Sequence, residues 1–156
     1  VGLARCEIRL GNNRSAERLI SEVIELKPYH ETYSLFEEAY LIRGHLYLIE
    51  NNFGPAQHFF FMAISVNMSC KKGWEMSAIL YKRNKMYAEA ANAYLYCWKL
   101  SCNKDLDYGY EYALCSMKAN KPEDAIEMCR IINEIQPLYR NMKQNIMLPS
   151  FRKLKV

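Results

Sequence analysis

Between Asn67 and Ser101 the positions Trp74, Ala78, Tyr81, Tyr87, Ala90 and Tyr94 follow one another at intervals of 4, 3, 6, 3 and 4, with lysines and asparagines between them. One amphipathic helix keeps a steady beat of three or four residues, so the interval of six predicts a break. Asn84-Lys85-Met86 supplies it. The stretch therefore reads as two helices folded back on each other.

The same pattern recurs when the chain is laid on itself. "LYKRNKMYAEAANAY" (80–94) aligns with "LIENNFGPAQHFFFMA" (48–63), placing Ala90 on Ala56. It aligns equally with "LGNNRSAERLISEV" (10–23) at Ala16 and with "KANKPEDAIEMCRII" (118–132) at Ala125. The alanines lie 40, 34 and 35 residues apart, and a period near 34 is that of the tetratricopeptide repeat, a helix-turn-helix unit. Twelve residues before each alanine stands a small residue, namely Ala4, Gly44, Ala78 or Ala113. Four residues after it comes Ile20, Phe60, Tyr94 or Cys129. Small residues let paired helices approach closely, and large ones fill the space between pairs. Pro28 and Pro137 stand twelve residues after the first and last alanines.

These observations predict an all-α fold, a right-handed tetratricopeptide-repeat solenoid of about four helix pairs with a C-terminal capping helix. Repeats are expected at about 1–30, 37–70, 71–104 and 106–139, with 140–156 as capping helix and basic tail. The expected repeat core is Ala4, Ala16, Gly44, Ala56, Phe60, Trp74, Ala78, Tyr81, Ala90, Tyr94, Ala113 and Ala125. The extra residues Glu31 to Phe36 should lengthen the first helix of the second repeat by more than a turn. Prolines 55 and 122 start second helices, where a missing N–H costs little. Pro149 should break or kink the cap near Leu148. Met142, Ile146 and Met147 are spaced to cover Ile126, Cys129 and Ile132, and the capping residues are expected to precede Pro149.

Composition narrows the function. The chain has 156 residues and is 51% apolar with 6 Gly and 5 Pro, which disfavours disorder and favours helix. No apolar run approaches the roughly 20 residues of a membrane span, and no charged-then-apolar leader is present, so neither membrane insertion nor a targeting peptide is expected. A start at Val1, already within a helical pattern, suggests a fragment of a longer protein. The net charge of +4 comes from Arg140, Lys143, Arg152, Lys153 and Lys155, which have no acid among them; the other 16 cations face 17 acids. A nucleic-acid binder would carry its basic stripe across the folded body. The tail charges either keep the end soluble or, at Arg152, Lys153 and Lys155, meet an acidic patch on a neighbouring subunit.

Six cysteines contain no CxxC pair, and most fall at apolar helix positions. They read as free thiols in a reducing cytosol rather than as a disulfide framework or metal site. His30, His45 and His58 are scattered over different elements, and no nucleophile stands at a helix start. No catalytic, cofactor or metal residue is expected. The face open to partners follows from register: Leu41, His45 and Leu48 in repeat two; Glu75, Ile79 and Lys82 in repeat three; Tyr110, Leu114 and Met117 in repeat four. This mixed, rather apolar set suits a packed protein segment. A clamp of Lys, Asn and Arg for a peptide carboxylate is not expected, because Leu41, His45, Glu75 and Ile79 occupy those positions. Lys82-Arg83 reads as a solvated face or a docking point.

Beyond the repeat, "FEEAYLIRGHLY", "NMSCKKGWEM", "YAEAANAYLYCWKLSCN", "GYEYAL" and "KANKPEDAIEMCRIINEIQPLY" resemble the C-terminal region of the tetratricopeptide repeat protein 21 family, the large repeat subunit of intraflagellar transport complex A. "AYLYCWK" and the Gly-Tyr before Ala113 are not demanded by the repeat itself. The resemblance covers nearly the whole chain and departs from the family pattern at Pro149. It implies a non-catalytic protein-binding scaffold in retrograde ciliary transport. The implied partners are other complex A subunits and, indirectly, a dynein motor and ciliary cargo; the implied location is cytoplasm, cilium and basal body. An adaptor of another cytosolic complex is the alternative.

Overall fold

The computed structural model describes residues 1–26 and 32–154; Pro28, His30, Glu31 and Lys155 lie outside them. The elements are α1 (Gly2–Arg9), α2 (Asn13–Glu25), α3 (Tyr33–Ile49), α4 (Phe53–Val66), α5 (Lys71–Arg83), α6 (Tyr87–Leu100), α7 (Leu106–Lys118), α8 (Pro122–Ile135) and α9 (Leu148–Leu154). All are helical, and no strand occurs among the described residues. The fold is all-α, built of helical repeats. The chain divides into two compact units, Val1–Met76 and Ser77–Val156. In unit one α1, α2, α3 and α4 pack consecutively; in unit two α6, α7, α8 and α9 do.

The break expected at residues 84–86 is a left-handed turn, and it occurs in every repeat. Gly11, Asn51, Lys85 and Asn120 all have positive φ, and each stands five residues before its repeat alanine. The amide after each donates back to the carbonyl five residues earlier: Asn12 to Glu7, Asn52 to Tyr47, Met86 to Tyr81 and Lys121 to Ser116. The left-handed residue itself donates three residues back, to Ile8, Leu48, Lys82 and Met117. This is the Schellman arrangement that satisfies the last carbonyls of a helix. Asn12, Asn52, Met86 and Lys121 are also the N-caps of the following helices. Their carbonyls accept from Ala16, Ala56, Ala90 and Ala125. One residue thus closes one helix and opens the next.

The small-large alternation is sterically enforced in the core. Ala4, Ala16, Ala56, Ala78, Ala90, Ala113 and Ala125 are fully buried, as are Ile20 and Phe60 to within a percent. A methyl at Gly44 would sit 2.6 Å from Cε1 of Phe60, far inside contact distance. Whereas buried Tyr94 has Ala78 in the place equivalent to Gly44, Phe60 points its ring straight at that position, and glycine stands opposite it. Gly109 does the same for a second large group, since a methyl there would lie 2.7 Å from Ile132 Cδ1 and 3.2 Å from the Trp98 ring.

Two expected core residues are only half-buried. The Trp74 indole N–H donates to the Met68 carbonyl at 3.0 Å, which ties its ring to the loop before α5, while Tyr81 is likewise intermediate. Trp98 is the buried tryptophan. Helix α3 has 17 residues against 13 for α5 and α7, a turn more.

The closing segment differs from a single capping helix. A short turn at Tyr139–Asn141 leads into a π-helical turn at Lys143–Met147 and then α9. Pro149 does not end the helix; it occupies the second position of α9. Proline there would lose a bond to the carbonyl four residues back and crowd it, and the wider π turn before it relieves both. Met142 and Ile146 are buried in one cluster with Trp98, Cys129 and Ile132. Burial continues past the proline at Ser150, and the Lys153 ammonium donates to the Met117 carbonyl at 2.7 Å. The cap does not stop at Pro149.

Two outcomes follow. Gly44→Ala gains helix propensity yet should destabilise the chain by ~1–3 kcal/mol through overpacking, lowering the thermal midpoint, and Phe60→Leu in the same chain should restore part of the loss. Lys85→Gly removes a β-carbon from a left-handed site and should stabilise by ~1 kcal/mol; an unchanged or lower midpoint in calorimetry would contradict the strain assigned to that turn.

Candidate functional site

In unit one, α1, α3, α4 and the start of α5 surround a groove of about 350 Å³ lined by Ile8, Leu41, Ile42, Phe60 and Met76, with Arg5, Arg9, Glu38, His45 and Lys72 at its edges. Leu41 and His45 are the register-predicted residues brought together here; Leu48 is half-buried and does not line it. Register on one helix could not reveal Arg5, Ile8 or Met76, which arrive from other elements. Arg5 Nε lies 2.7 Å from Glu38 Oε1, and Lys72 Nζ lies 3.0 Å from Glu75 Oε2. Both carboxylates are thus already engaged, although such exposed pairs contribute only about 0–1 kcal/mol. Deeper in the unit, Arg43 pairs with Glu17 at 2.8 Å and lies over the Tyr47 ring.

In unit two, Ile79, Lys82, Arg83, Tyr87, Tyr94 and Lys118 line a shallower depression of about 340 Å³. Lys82 pairs with Glu111, and the Lys118 ammonium stands 5.2 Å above the Tyr87 ring. Ile79 is exposed. Tyr110, Leu114 and Met117 do not form the open face expected of repeat four. All three pack, half-buried, against the last core cluster. Tyr110 carries Arg140 over its ring at 5.1 Å and Tyr139 edge-on at 6.5 Å. The chain's own closing segment occupies that surface because its apolar residues need cover.

Three buried thiols sit in environments that suppress reactivity. Burial first, then a hydrogen bond involving Glu37, pushes the Cys70 thiol up to about 12. Burial likewise raises Cys115 and Cys129 to about 11. A thiolate nucleophile needs the opposite shift. Burial and then Asp124 raise Tyr112; burial and then the Asp107 hydrogen bond raise Tyr139. All six cysteines are free, with Cys6 and Cys102 exposed. Among the described residues no group of three or more His, Cys, Asp or Glu could hold a metal ion, and no helix is long and apolar enough to cross a membrane.

Comparison with known proteins fits this helical-repeat geometry. The chain is 26% identical over 72% of its length to human tetratricopeptide repeat protein 21B. It is 23% identical over 94% of its length to the tetratricopeptide repeat protein 21 homolog of Caenorhabditis elegans, and 24% over 76% to human tetratricopeptide repeat protein 21A. These alignments span 8%, 11% and 9% of the relatives' own lengths. A family model, "Tetratricopeptide repeat protein 21 C-terminal ARM domain", matches residues 1–149. With nearly its whole length matched, the chain belongs to the tetratricopeptide repeat protein 21 family and corresponds to its C-terminal helical-repeat domain.

Proposed function

We propose that the chain is a non-catalytic protein–protein interaction scaffold, the C-terminal part of an intraflagellar transport complex A subunit acting in retrograde ciliary transport. The observation that carries this reading is family membership over residues 1–149. The structure adds a surface suited to the role, the unit-one groove with an apolar floor and charged edges. Apolar concavities with a polar rim are where partner side chains lodge. The partners would be other complex A subunits, and through them a dynein motor and cargo, in the cytoplasm, cilium and basal body. No cofactor enters this role.

The deciding experiment is purification of the tagged full-length protein from ciliated cells, with and without the region corresponding to this chain. The intact protein should recover complex A subunits. The shortened one should lose at least one of them, and cargo should accumulate at ciliary tips. Recovery of a different cytosolic complex, or full recovery with normal tips after the deletion, would sink the proposal.

The non-catalytic reading has its own check. At neutral pH a thiol reagent should label Cys6 and Cys102 quickly in the native chain and leave Cys70, Cys97, Cys115 and Cys129 protected until unfolding. Because burial raises three of these thiols in the folded state, the unfolded chain loses its protons first as pH climbs. Stability should therefore be full below about 9 and fall between there and about 11–12. A buried cysteine that reacts at neutral pH faster than the exposed pair would contradict the assignment.

A further inference from the structure

We propose that the C-terminal end of unit two is a docking site for an acidic peptide segment with apolar anchors, supplied by a neighbouring protein. The inference rests on the scaffold reading and names the chemistry of one partner. A cleft of about 440 Å³ opens between α8 and the segment that follows it, with Ile132, Leu138, Met142 and Met147 among its walls. The two helices that flank this segment in sequence, α8 and α9, also expose apolar residues. Ile131 and Ile135 are exposed one turn apart on α8, and Leu148, Phe151 and Leu154 are exposed along α9. Large apolar side chains left exposed beside a cleft-forming segment are what an interaction site supplies.

The backbone presents this surface in a fixed and strained form. Leu138 is 77% exposed, the largest exposure of any bulky apolar residue described. It adopts left-handed φ, as do Arg140 and Asn141. Such conformations persist only where surrounding contacts enforce them, and they concentrate at binding sites. Here Tyr139 and Arg140 both engage Asp107 of α7, and the Asn145 amide donates to the Arg140 carbonyl at 2.9 Å. Leu138 is thereby held outward at the mouth of the cleft. A rigid anchor costs little ordering entropy when a partner binds.

Charge selects the occupant. From Gln136 to Val156 there are five cations and no acid. Asp107 engages Arg140, and Lys153 binds a backbone carbonyl. Lys143 and Arg152 make no ion pair among the described residues, and Lys143 lines the cleft beside Arg130, with Glu134 the one acid in the lining. A partner with apolar side chains for the cleft and carboxylates for the cations at its wall, Lys143 first, satisfies both features. A second copy of this chain does not, because a two-fold contact would bring the same cations face to face. An anionic bilayer matches the charge but is flat, and cannot fill a concave cleft.

The test is an unbiased selection of random 12-residue peptides on the immobilised whole chain, followed by affinity measurement on the enriched sequences. Asp or Glu flanking two or more large apolar residues should dominate. Leu138→Ser and Lys143→Glu, both at exposed positions and checked for an unchanged circular-dichroism melt, should each weaken binding about tenfold or more. Affinity should also fall as salt rises. No enrichment, enrichment of neutral or basic peptides, indifference of the selected peptides to both substitutions, or equally tight binding to phosphatidylserine vesicles would each overturn the proposal. If the full-length protein still recovers complex A subunits after such a result, only this inference falls; if that recovery also fails, the scaffold reading falls with it.

Discussion

The hairpin within each of the four repeats depends on one left-handed residue placed five positions before a buried alanine. That residue lets two backbone amides fold back onto the end of one helix, and the next residue at once caps the following helix. None of the four second helices takes a side-chain hydrogen bond at its N-cap. The turn geometry itself therefore sets where each second helix starts, and so which of its residues face the first. A slip of one position would rotate the buried alanine by about 100° away from the core.

Given that fixed register, side-chain size is no longer free. The paired helices approach so closely that one position must be small, and the placement of the residue a turn beyond the alanine decides whether even a methyl fits. Ile20, Tyr94 and Cys129 at that outer position each coexist with alanine; Phe60, whose ring lies where the methyl would be, faces glycine. Gly109 repeats the logic around Trp98 and Ile132. The Gly-Tyr and Cys-Trp dipeptides that set this chain apart from a generic repeat are thus halves of one contact. Burial of their large side chains is also what drives the pairs together, at about 25 cal/mol per Å² of apolar surface removed from water.

The elements most legible in the sequence were those governed by this periodic constraint. Spacing alone locates the alanine ladder, the turns and the lengthened α3, because each follows from local chemistry repeated four times. Trp74 was misplaced because register says which way a residue points, and not whether a polar atom on it needs a partner. Its indole N–H finds one in the loop before α5, and the ring stays half in water. The candidate surfaces were less legible still. The unit-one groove draws residues from α1, α3, α4 and α5, and no one-dimensional pattern says that Ile8 and Leu41 will share a wall. Likewise nothing in the spacing of Tyr110, Leu114 and Met117 announces that the closing segment will cover them.

That closing segment has to satisfy two demands that pull against each other. The last hairpin leaves Cys129 and Ile132 without a following repeat, and Met142 and Ile146 cover them. Reaching that position from the end of α8 requires a reversal within a few residues, which the chain achieves through left-handed Leu138, Arg140 and Asn141 rather than through glycine. Each such residue costs roughly 1–2 kcal/mol, and Asp107, by holding Tyr139 and Arg140, offsets part of it. A glycine at 138 would make the same reversal with less strain, but it would remove the most exposed apolar side chain at the cleft. Pro149 shows the same tension further along, where a π turn precedes it and the helix goes on instead of ending, with Ser150 buried and Phe151 exposed.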